Sequence, residues 1–246
     1  MDKLIYTAMS GSKYVLDQQA TNSHNLANAS TTGFKAQIDS FRAVPVVGEG
    51  LSTRSYAVNT TSGTDFTPGA IQHTGRSLDV AVEGKGWLAV QTSSGAEAYT
   101  RNGSFKINEN GVLQTATGLN VMGDGGPISI PPNVSISIAA DGTISSVNDG
   151  QVPGPTNMIG RLKLTNPDER GMIRTEEGLF TNKDGRPAAA DSNVRVVNGA
   201  LESSNVNVVE SMVNMISLAR QFDVQMKLLQ NATENDTKAA QLFNIN

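Results

Sequence analysis

The chain has 246 residues, 38% of them hydrophobic but only 5% aromatic, with 24 glycines, one tryptophan and no cysteine. Disulfides, thiolate nucleophiles and cysteine-based zinc sites are therefore excluded, and a turn-rich protein packed with small residues is favoured over one thick aromatic core. Nineteen basic against 23 acidic residues leave a formal charge of −4, and no stretch concentrates Lys and Arg enough to neutralise a phosphate backbone, which argues against a nucleic-acid partner.

The N-terminal stretch MDKLIYTAMSGSKYVL holds only short apolar pieces broken by Thr7, Ser10, Gly11 and Lys13. It lacks the continuous apolar run of a secretory signal, so Sec-type export is not expected. No window approaches the ~20 apolar residues that a membrane-spanning helix requires. A 4-then-3 spacing links Ile5, Met9, Ser12, Leu16, Gln19, Ser23 and Leu26, with Leu4, Ala8, Gly11 and Val15 beside it. This predicts a helix over residues 1–34 whose stripe begins aliphatic and ends polar. Asn22, Asn25 and Asn28 crowd that end, and Gly33-Phe34 closes it.

Residues 35–75 show neither helical nor strand period and read as an extended connector with room for one hairpin. From 76 to 187 the period becomes two: Leu78, Val80 and Val82, then Ile128 with Ile130, Val134 with Ile136 and Ile138, and Leu162 with Leu164 alternate with polar or small residues. Asn102-Gly103, Asn110-Gly111, Asp141-Gly142 and Asp184-Gly185 supply turn signals between them. The reading is an antiparallel β domain, followed by a return connector over 188–205.

The strongest periodic signal spans 206–246. Val208, Met212, Met215, Ala219, Phe222, Met226, Leu229, Thr233, Asp236, Ala240 and Phe243 keep the 4-3 alternation, with Asn207 placed to cap the first turn and Glu210 three residues on. So narrow a seam on so long a helix calls for a partner helix. The predicted fold class is α+β: N- and C-terminal helices pairing as a coiled-coil stalk, with an antiparallel β-rich domain inserted between them. The expected assembly surface comprises Ile5, Met9, Leu16, Asn22, Asn25, Leu26, Asn28 and Phe34 from the first helix, and Val208, Met212, Met215, Ala219, Phe222, Met226 and Leu229 from the last.

Chemistry is scarce. His24 and His73 are the only histidines and neither has a second ligand at a metal-binding spacing. The glycines of MGDGGP and EGKGW form neither a dinucleotide nor a phosphate-loop pattern. There is no nucleophile elbow, and Glu176-Glu177 reads as solvated charge on a strand. No catalytic residue, metal, cofactor or small-molecule substrate is expected. The β-rich middle alone leaves a secreted binding module as an alternative, for which Trp87 would be the only tryptophan available as a platform.

Two long motifs at opposite ends, NLANASTTGFKA (Asn25 to Ala36) and LESSNVNVVESMVNMISLARQFDVQMKLLQ (Leu201 to Gln230), resemble signatures of the axial proteins of the bacterial flagellum, which form the rod, hook and related segments. RSLDVAVEGKGWLAVQT, AYTRNGSFKINENGVLQTATG and GDGGPISIP are similar to the family's β-domain pattern. Within it, the opening residues, FRAVPV (Phe41 to Val46) and GRLKL (Gly160 to Leu164) most resemble the proximal-rod branch, with a distal-rod or hook-type subunit as the alternative. The resemblance implies a structural, non-enzymatic subunit of the basal-body rod. It implies export through the flagellum's own apparatus and assembly with proximal and distal rod proteins and with copies of itself. It also implies that the polar helix end serves lateral contacts.

Overall fold

The computed structural model describes residues 2–45, 55–148 and 157–243. The chain forms two compact units, one of residues 1–29, 36–65 and 206–246, the other of residues 30–35 and 66–205. The class is α+β.

The first unit contains helix α1 (Asp2–Ala27), strands β1 (Gln37–Pro45) and β2 (Ser55–Thr64), and helix α2 (Val208–Phe243). Helix α2 begins where its cap requires: Asn207 Oδ1 accepts from the backbone N–H of Val209 at 3.1 Å and of Glu210 at 3.2 Å. Asn22 Nδ2 donates to Ser211 O at 2.7 Å, and a Cβ on Gly11 would lie 3.3 Å from the amide of Gln225. Rising α1 numbers thus meet falling α2 numbers, so the helices pack antiparallel. Within the predicted connector lies an antiparallel ribbon, β1 with β2, carrying a register shift between Ser40 and Phe41. Tyr14 of α1 meets Phe41 edge-on, ring centroids 4.0 Å apart. Helix α1 stops at Ala27, short of the predicted residue 34, and Ser30–Lys35 belongs to the second unit.

The second unit is antiparallel β structure. Strand β3 (Ile71–His73) pairs with Ala200–Glu202, and β4 (Val80–Glu83) pairs with Arg195–Asn198. Residues read as a return connector therefore complete two sheets. Strand β5 (Trp87–Gln91) is central in the largest sheet, between β6 (Glu97–Thr100) on one side and Asn120–Gly123 and Leu164–Thr165 on the other. The run WLAV is apolar without alternation because both faces are covered. Leu88 enters a core with Val80, Phe105, Ile144 and Val196, while Trp87 and Ala89 join Tyr99 and Phe180. Trp87 is only 2% exposed and packs against Phe66 and Phe180 at 5.7 and 4.8 Å, so it offers no binding platform.

The glycine turns behave as their chemistry demands. Gly111 and Gly142 have positive φ in hairpin turns, and the Asp141 carboxylate before Gly142 accepts from Thr143 Oγ1 and N, bonds that hold it below the usual carboxylate range. Gly103 is different: its φ is ordinary, but a Cβ there would stand 1.7 Å from Val80 O, so close backbone approach selects it. Ile128 and Ile130 are buried as their alternation suggests, but they lie outside the strands: Ile128 N donates to Val121 O and its carbonyl accepts from Leu113 N, while Ile130 N donates to Gly111 O. Glu176 and Glu177 are exposed in a turn and not on a strand.

Tyr99 is buried, and its hydroxyl accepts from the Ala188 N–H at 2.6 Å. Burial pushes its phenol up to about 12. A phenol that ionises later in the folded than in the unfolded chain supports folding fully below pH ~10 and loses that support as pH rises to about 12. Denaturant titrations from pH 9 to 12 are expected to show a loss of order 2 kcal/mol that Tyr99→Phe abolishes.

Candidate assembly interface

The first part of the candidate site is the pair of helices. On α2, Ser211 and Ala232 are buried and Met215, Leu218, Phe222, Gln225 and Leu229 half-buried, again a 4-3 series. Its opposite is Ala8, Gly11, Ser12, Val15 and Asn22 of α1, with Ser12 and Val15 buried. The inner stripe shares Met215, Phe222 and Leu229 with the predicted seam but is otherwise turned by about one residue. Val208, Met212, Ala219 and Met226 are exposed on α2, as are Met9 and Leu16 on α1, while Ile5 and Leu26 are half-buried. Asp236, Ala240 and Phe243, also read on that seam, have side chains outside the described residues.

The rotation has a packing cause. Small side chains at positions 8, 11 and 12 and at 211 and 232 let the two backbones approach, and interaxial distance follows the size of the contact residues. Large apolar residues are thereby left outside: Val209, Met212, Val213, Ile216 and Val224 on α2, and Tyr6, Met9 and Leu16 on α1, are each at least half exposed. So much unpaired apolar helix surface is characteristic of an interaction site.

The polar end of α1 is engaged within its own unit. Asn25 bonds both backbone atoms of Gln37, donating Nδ2 to O and accepting from N at 2.8 Å each, which mimics a strand partner for the first residue of β1. Asn22 binds Ser211 as described, and Asn28 Nδ2 donates to His24 O at 2.9 Å, satisfying a carbonyl of the last helical turn. His24 and His73 are exposed, and among the described residues no three His, Cys, Asp or Glu side chains gather into a metal-binding group.

The second part lies in the other unit and was not anticipated from sequence. Glu202 is 1% exposed and Lys35 is fully buried, with Lys35 Nζ 2.7 Å from Glu202 Oε1. The same oxygen accepts from Gly69 N at 2.8 Å, while Oε2 accepts from Arg101 Nη1 at 2.9 Å. Lys35 Nζ also donates to Thr67 O, and Arg101 Nη2 to Gly84 O. Arg101 sits over the Trp87 ring, 5.3 Å from its centroid. The Glu202 carbonyl accepts from Gly33 N at 2.7 Å. One residue thus ties its own strand to three other chain segments. Phe34, expected at an interface, is 7% exposed under the Arg174 guanidinium, which lies 4.5 Å from its ring and donates to Lys35 O. The motif TTGFK therefore serves this junction, with Gly33 at φ +67 and its Cα face against the Arg101 backbone.

Comparison with known proteins gives a uniform result. Residues 5–35 match the family model described as flagella basal body rod protein, residues 81–146 the flagellar hook protein FlgE/F/G D1 domain, and residues 192–242 the flagellar basal body rod FlgEFG protein C-terminal. The chain is 46% identical to flagellar basal-body rod protein FlgF of Salmonella typhimurium and 45% identical to that of Escherichia coli, covering 100% of both chains in each case. It is 34% identical to flagellar basal-body rod protein FlgG of Buchnera aphidicola, over 94% of this chain and 97% of that one.

Proposed function

This chain belongs to the flagellar basal-body rod protein family, and on that premise we propose that its two terminal helices form the rod-building stalk and that their outward apolar faces join neighbouring subunits. The protein is a structural subunit of the flagellar basal-body rod, required for motility and assembling with other axial subunits. Its 46% and 45% identity to the FlgF of Salmonella typhimurium and Escherichia coli, against 34% to the FlgG of Buchnera aphidicola, favours the proximal-rod assignment over a distal-rod or hook-type one.

The exposed apolar face of α2 carries the proposal. Burying one large aliphatic side chain contributes roughly 1.5–3 kcal/mol, and Val209, Val213, Ile216 and Val224 are available together. Heterologous contacts repeated on a screw axis build an open filament, the form a driveshaft requires. Copies of itself and proximal and distal rod proteins are the partners, the flagellar export apparatus is the route, and torque transmission without turnover is the role. Leu229→Asp places a charge on the inner stripe and is expected to abolish swimming and rod incorporation while leaving the second unit folded by circular dichroism. Normal incorporation of this variant would count against the stalk.

A further inference from the structure

A groove of about 1000 Å³ runs along α1 on the side away from α2, walled by β1 and β2, and is lined by Tyr6, Met9, Lys13, Asp17, Asp39 and Val58 among others. Tyr6, Met9 and Val58 are 51%, 55% and 42% exposed, so its apolar floor is open. On α2, the face opposite the inner stripe carries Val209, Val213, Ile216, Arg220 and Asp223 in a 4-3-4-3 series, with Val224 beside it. Among the described residues, no ion pair engages Lys13, Asp17, Arg220 or Asp223 within the chain.

We propose that the α1 groove of one copy receives the outward α2 face of a second copy, antiparallel, with Arg220 between Asp17 and Asp39. The inference rests on the rod assignment and specifies which surfaces meet. Copies related by a screw axis all point the same way, so α1 of one meets α2 of the next in the opposed sense already used within the chain. Setting Asp17 opposite Arg220 then brings Lys13 opposite Asp223 without further adjustment. The same register sets Ala20 beside Ile216 and Met9 opposite the half-exposed Leu228, apolar against small or apolar. The parallel alternative with Asp17 opposite Arg220 sets Lys13 opposite Ile216 and leaves Asp223 without its cation. Because groove and ridge lie on different faces of each copy, the contact is head-to-tail and does not close on a pair.

The absence of cysteine makes the contact directly measurable. Chains carrying Ala20→Cys and chains carrying Ile216→Cys, both exposed positions, are expressed together in cells lacking the unaltered protein, and isolated basal bodies are mildly oxidised. A disulfide can then form only between copies, and a species of twice the chain mass is expected. Recovery of both chains in basal bodies with no such species overturns the pairing and leaves the rod assignment standing. If the unaltered chain is itself missing from basal bodies, the rod assignment fails. Should the cysteine chains not incorporate, charge reversal decides: Asp17→Arg or Arg220→Asp alone is expected to reduce incorporation about tenfold through like-charge contacts, and the two together to restore it. Absence of rescue overturns the pairing.

Discussion

Replacing Glu202 with alanine is expected to destabilise the second unit by about 3–5 kcal/mol, the cost of removing one partner from a buried ion pair. Lys35 and Arg101, both almost inaccessible to water, would then face each other with no anion between them. One further bond goes with the carboxylate, since Gly69 N loses its acceptor, and the Lys35 bond to Thr67 O is left as a neutral partner for a buried charge. Domains are commonly stable by only about 5–15 kcal/mol, so this one change is comparable to the total. Urea denaturation followed by Trp87 fluorescence reads it, because Trp87 packs beneath Arg101. Glu109→Ala, at an exposed position, is the control and is expected to stay within about 0.5 kcal/mol of the unaltered protein. A loss that small for Glu202→Ala would mean that the junction is held by packing and not by charge.

Gly33→Ala should be nearly as damaging, for a reason separable from charge. The left-handed backbone costs a non-glycine residue of order 1–3 kcal/mol. In addition the new Cβ would stand 2.4 Å from the Arg101 carbonyl carbon and 2.5 Å from Asn102 N, both backbone atoms that cannot rotate away. Gly75→Ala isolates the first component, because Gly75 has nearly the same φ, +72, and nothing within 4 Å of its added Cβ. The expected order in thermal unfolding is unaltered protein, then Gly75→Ala, then Gly33→Ala well below both. Equal losses at the two positions would show that close approach contributes nothing. Since Gly33 N binds the Glu202 carbonyl, Gly33→Ala should also disturb the ion cluster, and its effect should not add to that of Glu202→Ala.

What could be read from the chain were features whose cause is local. Asn207 caps α2 because an amide oxygen three bonds from its own backbone reaches the first free N–H groups of the following turn. Asn110-Gly111 and Asp141-Gly142 make hairpin turns because glycine alone enters positive φ without strain. The 4-3 repeats announced two long helices for the same reason, since a helix brings residues three and four apart onto one face.

The features the sequence left open depend on which surfaces meet. Hydrophobicity pointed to Met212 and Met226 as seam residues, but the helices close through Ser211 and Ala232 of α2 and Gly11 of α1, because small residues allow the backbones to approach and push larger ones outward. Nothing near Asn22 or Asn25 in the chain reveals that their amides bind Ser211 and Gln37.

Sequence by itself thus determined the order of helix, β structure and helix, the cap and turn positions, and the family. Only the tertiary structure decided the inner face of each helix and the junction at Glu202, whose partners Lys35 and Arg101 stand 167 and 101 residues away. Periodicity and capping act within a few residues and leave a trace in the order of side chains. A buried ion pair joins residues that are adjacent only after the backbone has folded.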